Sequence, residues 1–145
     1  MSNMFCNCES LALLKLNMLN TSNVTDMDCM FNRCKSLYNL DISSFDFSNI
    51  ELNWGMFDHC SSLTILKFGK NLKKTLMLSD CPLLTYDSIL SVIDGLAKVE
   101  ETQELILNDS SMKKLSKDDI KAAEDKNWKI VNIKNEKIIK KCTVN

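Results

Sequence analysis

The chain is poor in the residues that loosen or break a backbone. Its 145 residues include three glycines, Gly55, Gly69 and Gly95, and one proline, Pro82. So little of either leaves no room for a flexible linker, and glycines this scattered exclude a phosphate-cradling loop. There is one histidine, His59, so an enzyme reading starts short of a base. No apolar run approaches the ~18 residues that span a bilayer, which excludes an integral membrane helix. The first residues, Met1-Ser2-Asn3-Met4-Phe5-Cys6, have neither the basic nor the apolar part of a Sec signal. The expectation is cytoplasmic synthesis without Sec export of this chain. An excess of charge is also missing: the formal net charge is −1, spread over both halves. Neither half is a nucleic-acid-binding surface on charge alone. The local exception, Lys129, Lys134, Lys137, Lys140 and Lys141 against Glu136, reads as a solvated strand edge guarded by lysines.

What the chain has instead is repetition. The string Met-Phe-x-x-Cys-x-Ser-Leu-x-x-Leu-x-(Leu/Ile/Phe) runs from Met4 to Leu16, from Met30 to Ile42 and from Met56 to Phe68, each start 26 residues after the last. A fixed period of this size predicts a solenoid, each repeat a coil whose apolar face is buried only by its neighbours. The alternating pairs Leu14 and Leu16, Leu40 and Ile42, Leu66 and Phe68 predict one short strand per coil, joined in a parallel sheet. Between strands lie polar stretches such as Asn20-Thr21-Ser22-Asn23 and Ser43-Ser44-Phe45-Asp46, whose side-chain oxygens can satisfy backbone donors in turns. Met-Phe at the head of each string is read as an inward wedge of core filler.

Seven cysteines invite a disulfide framework, but Cys8, Cys34 and Cys60 share one repeat position, and Cys81 opens a variant of it, Cys-Pro-Leu-Leu-Thr. Equivalent positions in adjacent coils stand roughly 4.8 Å apart with parallel side-chain vectors, too far and too parallel to bridge. A ladder of buried, reduced thiols is expected, suited to a reducing compartment. A linear stack cannot form the tetrahedron that zinc requires, so no metal is assigned. Replacing Cys34 by Ser is expected to cost roughly 1–3 kcal/mol, for burying a hydroxyl in a site made for sulfur.

The period breaks after Phe68, where Gly69-Lys70-Asn71-Leu72-Lys73-Lys74 shortens the connection to a strand at Thr75-Leu76-Met77-Leu78. Ile89, Leu90, Ile93, Leu96 and Ala97 then share a helical face, with Thr85 or Asp87 as N-cap. A strand at Glu104-Leu105-Ile106-Leu107 follows. Ser116-x-x-Asp119 resembles a capping box and opens a helix to about Lys126, with Asn127 at the left-handed position after it. Trp128 to Ile133 reads as a strand, and Lys137-Ile138-Ile139-Lys140 as its antiparallel return. The fold class expected is therefore an α/β repeat: a short leucine-rich-repeat-like solenoid with a parallel sheet, C-terminal helices and a closing β-hairpin. Residues 1–83 would be the solenoid and 84–145 a capping region continuous with it.

The run Asn23-Val24-Thr25-Asp26-Met27-x-x-Met30-Phe31-x-x-Cys34-x-Ser36-Leu37-x-x-Leu40-Asp41-Ile42 closely resembles the BspA-like leucine-rich repeats, in the surface-protein subtype of unknown function. The resemblance covers roughly residues 4 to 72. The remainder looks like the C-terminal module that closes such repeats in Gram-positive surface and phage structural proteins, with Asn127 where that family usually has Gly. The resemblance implies adhesion or assembly and no catalysis, and it carries no agreed binding residues. About three clean repeats and no secretion signal or wall anchor in the chain favour a compact component of a phage particle (tail or baseplate, in the virion) over a free-standing adhesin of a bacterial cell surface, the other place the resemblance implies.

The residues themselves point the same way. His59 adjoins Cys60, but neighbours in an extended segment face opposite ways, so a buried thiol beside an exposed imidazole is expected in place of a nucleophile and base. No catalytic residue, cofactor or metal ligand is assigned. The functional expectation is a non-enzymatic protein-interaction scaffold, the alternative a small intracellular regulatory protein-binding module. At the N-terminal edge Met4-Phe5 starts the first repeat at once, leaving Phe5, Leu11, Leu14 and Leu16 on an open face. A protein partner is expected to cover that edge, either a neighbouring particle subunit or a host surface protein, with a homo-oligomer as the simplest version.

Overall fold

The structure, a computed structural model, describes residues 1–132. The return strand expected at residues 137–140, and with it the closing hairpin, lies outside them. Over the described residues the chain is mixed α/β with two parallel three-stranded sheets. The first holds β1 (Leu13–Lys15), β2 (Asn39–Asp41) and β3 (Ile65–Lys67) in that order. The second holds β4 (Leu76–Met77), β5 (Gln103–Leu107) and β6 (Trp128–Asn132). Three helices accompany them: α1 (Tyr86–Gly95), α2 (Asp109–Met112) and α3 (Lys117–Glu124).

The sequence period is written into the strand register. Leu13 pairs with Asn39 and Asn39 with Ile65, while Leu14, Leu40 and Leu66 line up beside them. Period two turns the central leucines inward, so Leu40 and Leu66 are buried and the residues flanking them face out. The polar stretches between strands close as expected. Asp26, Asp41 and Asp46 each accept the amide two residues on through a side-chain oxygen, as Asn20 does for Ser22.

The single sheet expected across the repeats is instead two, and the cause is α1. Where a fourth strand would pair with β3, the Ser88 hydroxyl accepts the Leu66 amide at 3.0 Å and the Ser91 hydroxyl accepts that of Phe68 at 2.9 Å. Ser88 Oγ also donates to the Thr64 carbonyl at 3.1 Å. Helix side chains thus satisfy a strand edge that would otherwise template further pairing. The helix end sits this close because Gly95, its last residue, has no Cβ, and Gly69 allows the same closeness between its own segment and Phe45. A Cβ on Gly69 would stand 2.1 Å from the Phe45 carbonyl oxygen, and one on Gly95 would stand 2.3 Å from that of Gly69.

Thr85 caps α1 by accepting the Ser88 amide. The helix ends at Gly95, short of the face read to Ala97, because Leu96 pairs with Leu72 and the Ala97 amide donates to the Leu72 carbonyl. Lys126 Nζ donates to the Ile93 carbonyl at 2.8 Å, placing a cation at this helix's C-terminal end. The capping box at Ser116 and Asp119 is formed in both directions, and Asn127 has φ 66°. The short helix α2 was not expected; the Asn108 side chain, accepting the Ser111 amide, starts it. β6 pairs in parallel with β5, and the indole of Trp128, buried beneath, donates to the Ala97 carbonyl at 2.8 Å.

Candidate interaction surface

Each repeat is joined to the next by the same three contacts. Rings stack, Phe5 on Phe31 and Phe31 on Phe57, both pairs with centroids 5.7 Å apart. Backbone amides of one repeat reach carbonyls of the following one, as Phe5 to Met30 at 2.9 Å and Phe31 to Met56 at 3.0 Å. Thiols point backwards: Cys34 Sγ donates to the Phe5 carbonyl at 3.1 Å, Cys60 Sγ to that of Phe31 at 3.1 Å, and Cys81 Sγ to that of Phe57 at 3.6 Å.

The thiol ladder is therefore present, with a purpose that spacing alone did not reveal. Cys34, Cys60 and Cys81 are buried free thiols. Burial, with the neighbouring Cys8 thiol as the next cause, pushes Cys34 up to about 11. Burial raises Cys60 and Cys81 further still, which keeps both thiols protonated as hydrogen-bond donors. Two expectations need correction. Cys8 is only half-buried, because no repeat precedes it to receive its thiol among the described residues. A serine at Cys34 would also find the Phe5 carbonyl, so its cost falls below the range for an unpaired hydroxyl.

The residues before Cys8, Cys34 and Cys60 are left-handed: Asn7, Arg33 and His59 have φ of 62°, 60° and 59°. His59 and Cys60 diverge at this turn, and not along an extended segment as expected. The His59 amide donates to Asp80 at 3.0 Å, and its Nδ1 stands 3.4 Å from the same carboxylate, exposed to solvent. Asp58 beside it is raised by burial and then by the nearby Asp80 charge. An open cleft of about 580 Å³ mixes Lys73, Lys74 and Lys98 with Glu51, Glu100 and Glu101.

Two surfaces remain that are shaped and unfilled. One is the outward side of the first sheet, where Leu13 and Ile65 are 44% and 40% exposed, with Tyr38 just before β2 at 46%. Charges alternate along its next row, Lys15 beside Asp41 beside Lys67. Burial pushes the Asp41 carboxyl up, but the hydroxyl and amide of Ser43 and the Lys67 ammonium outweigh it and hold it below its usual value. The other surface is the N-terminal side of the first repeat, where Phe5, Leu11, Leu14 and Leu16 are half-buried and Met4 is exposed, against the inward place expected for a Met-Phe wedge.

Strands in 26-residue register and ring and thiol ladders between repeats define a repeat architecture, and no helix among the described residues is long and apolar enough to cross a membrane. Residues 1–78 match the family described as Mycoplasma protein of unknown function, DUF285, and the chain belongs to that family. It is a surface-protein-like repeat family whose function is unknown. No curated protein and no solved structure matches the chain.

Proposed function

We propose that this protein is a non-enzymatic interaction scaffold of a bacterial cell surface, a short solenoid of BspA-like leucine-rich repeats closed by the region from residue 84 onward. The observation that carries the reading is the outward side of the first sheet. Apolar and charged side chains stand there in fixed register on strands whose other side is buried at β2 and β3, so that part of the surface is presented rigidly and at little entropic cost on binding. Tyr38, Leu13 and Ile65 are the anchors, since a large, stiff aromatic among aliphatics is the usual centre of a protein-binding patch. The partner is then another protein, with nucleic acid disfavoured by the charge balance. The family match adds nothing toward the phage-particle expectation, which is not carried further.

The test is binding of the purified chain to an array of host matrix and surface proteins, repeated with the Tyr38→Ser, Ile65→Ser double variant. Both residues are exposed, so the fold should survive and affinity should fall by about tenfold or more. Partner binding that ignores the double variant would remove this face from the function.

A further inference from the structure

The N-terminal side of the first repeat can be measured against its own copies. Phe31 is 0% exposed and Phe57 1%, while Phe5, at the same position, is only half-buried. Leu19 stands where Phe45 stands one repeat later, 38% exposed against 0%. At both internal junctions the downstream repeat offers the upstream one a thiol, a strand amide and a row of carbonyls. Between the first two repeats these are the Cys34 thiol, the Tyr38 amide to the Ala12 carbonyl, and the carbonyls of Asp28, Met30, Asn32 and Asp41. The first repeat turns the same set outward: the Cys8 thiol, the Ala12 amide, and the carbonyls of Ser2, Met4, Cys6 and Lys15. None of these has a hydrogen-bond partner among the described residues.

We infer that this face is a docking site for one further repeat of the same Met-Phe-x-x-Cys type, laid in parallel on β1 with its phenylalanine ring on Phe5 and that residue's carbonyl on the Cys8 thiol. The inference rests on the scaffold reading and names a partner for it. Continuity with the two internal junctions selects the occupant, because the complement required is a phenylalanine ring, its carbonyl and a row of amides at the 26-residue geometry. A second copy of this chain meeting the face by twofold symmetry would pair the β1 edges antiparallel, and so would not reproduce the parallel register of the two internal junctions. The phenylalanine–thiol junctions and the β3 edge within a copy are themselves already filled. The Phe31 and Phe57 carbonyls already receive thiols, and the serines of α1 occupy the edge of β3.

The experiment splices a copy of residues 30–55 directly ahead of Met4 in the full chain and maps thiol labelling residue by residue. Cys8 labelling should slow by about tenfold or more, and amide exchange over residues 5–16 should slow with it. A second extended chain, with Asp in place of the phenylalanine in the added copy, should leave Cys8 as reactive as in the parent. Exchange across residues 31–42 reports whether either chain still folds. The inference is overturned if Cys8 stays reactive in a folded extended chain. It is equally overturned if the parent protects Cys8 as a symmetric dimer in sedimentation. Partner binding through Tyr38 and Ile65 is read separately on the same proteins, so the scaffold reading can fail while Cys8 protection stands.

Discussion

The first and second repeats carry the same motif letters and meet different fates. Phe5 and Phe31, Cys8 and Cys34, Leu11 and Leu37, Leu14 and Leu40, Leu16 and Ile42 are equivalent pairs, and in each the second member is fully buried and the first is not. Local conformation does not explain it, since the backbone turns of both repeats agree, with φ 57° at Asn3 against 53° at Cys29 and 62° at Asn7 against 60° at Arg33. The difference is the neighbour. A repeat of this kind folds its own turns but closes only half of its core, and the other half comes from the repeat on either side.

The sharpest way to break the comparison is to delete the ring from each. Phe31 is sandwiched between Phe5 and Phe57 with no solvent exposure, so Phe31→Ala should cost about 3–5 kcal/mol in denaturant unfolding. Phe5 has one ring partner and an open face, so Phe5→Ala should cost about 1–2 kcal/mol. Equal losses would mean that the first repeat is packed as fully as the second.

The thiols repeat the test at smaller scale. Cys60→Ala removes a buried sulfur and a bond to the Phe31 carbonyl, which keeps the Cys34 amide as its other donor. About 1–2 kcal/mol is expected. Cys60→Ser keeps a donor aimed at the same oxygen and should cost less than about 1 kcal/mol. Cys8→Ala, with no carbonyl to lose, should fall within about 0.5 kcal/mol of the parent. If serine proves worse than alanine at position 60, the thiol is valued for volume and not for its hydrogen bond.

Much of this was legible in the sequence because repetition turns a weak signal into a strong one. A lone Leu-x-Leu says little, but three at a fixed period placed β1, β2 and β3 and their parallel register. The caps at Thr85 and Ser116 and the left-handed Asn127 were readable because the polar groups that make them are local. What was missed is long-range. That Ser88 and Ser91 would terminate β3 requires knowing that α1 packs there, and no local rule assigns a helix serine to a strand amide. The direction of the thiols was hidden for the same reason, although Phe-x-x-Cys at a constant period held the clue. The exposure of Cys8 and Met4 is the cost of reading letters by motif alone, when burial belongs to the stack.

The smallest expected effect sharpens the comparison where the two repeats agree. Asn7 and Arg33 hold the same left-handed turn, yet asparagine visits that region readily and arginine carries the usual side-chain clash. Arg33 is exposed and its nearest charged relation is a long-range attraction to Glu9, itself paired with Lys35 at 2.8 Å in solvent. Replacing it therefore loses little on the surface. Arg33→Asn should stabilise the protein by about 0.5–1 kcal/mol, and Asn7→Arg should destabilise it by less, because the first repeat is only partly coupled to the core. Thermal unfolding of the two single variants checks both signs. A destabilised Arg33→Asn variant would show that the arginine stem covers apolar surface between repeats, and that the second repeat differs from the first on its outside as well as within.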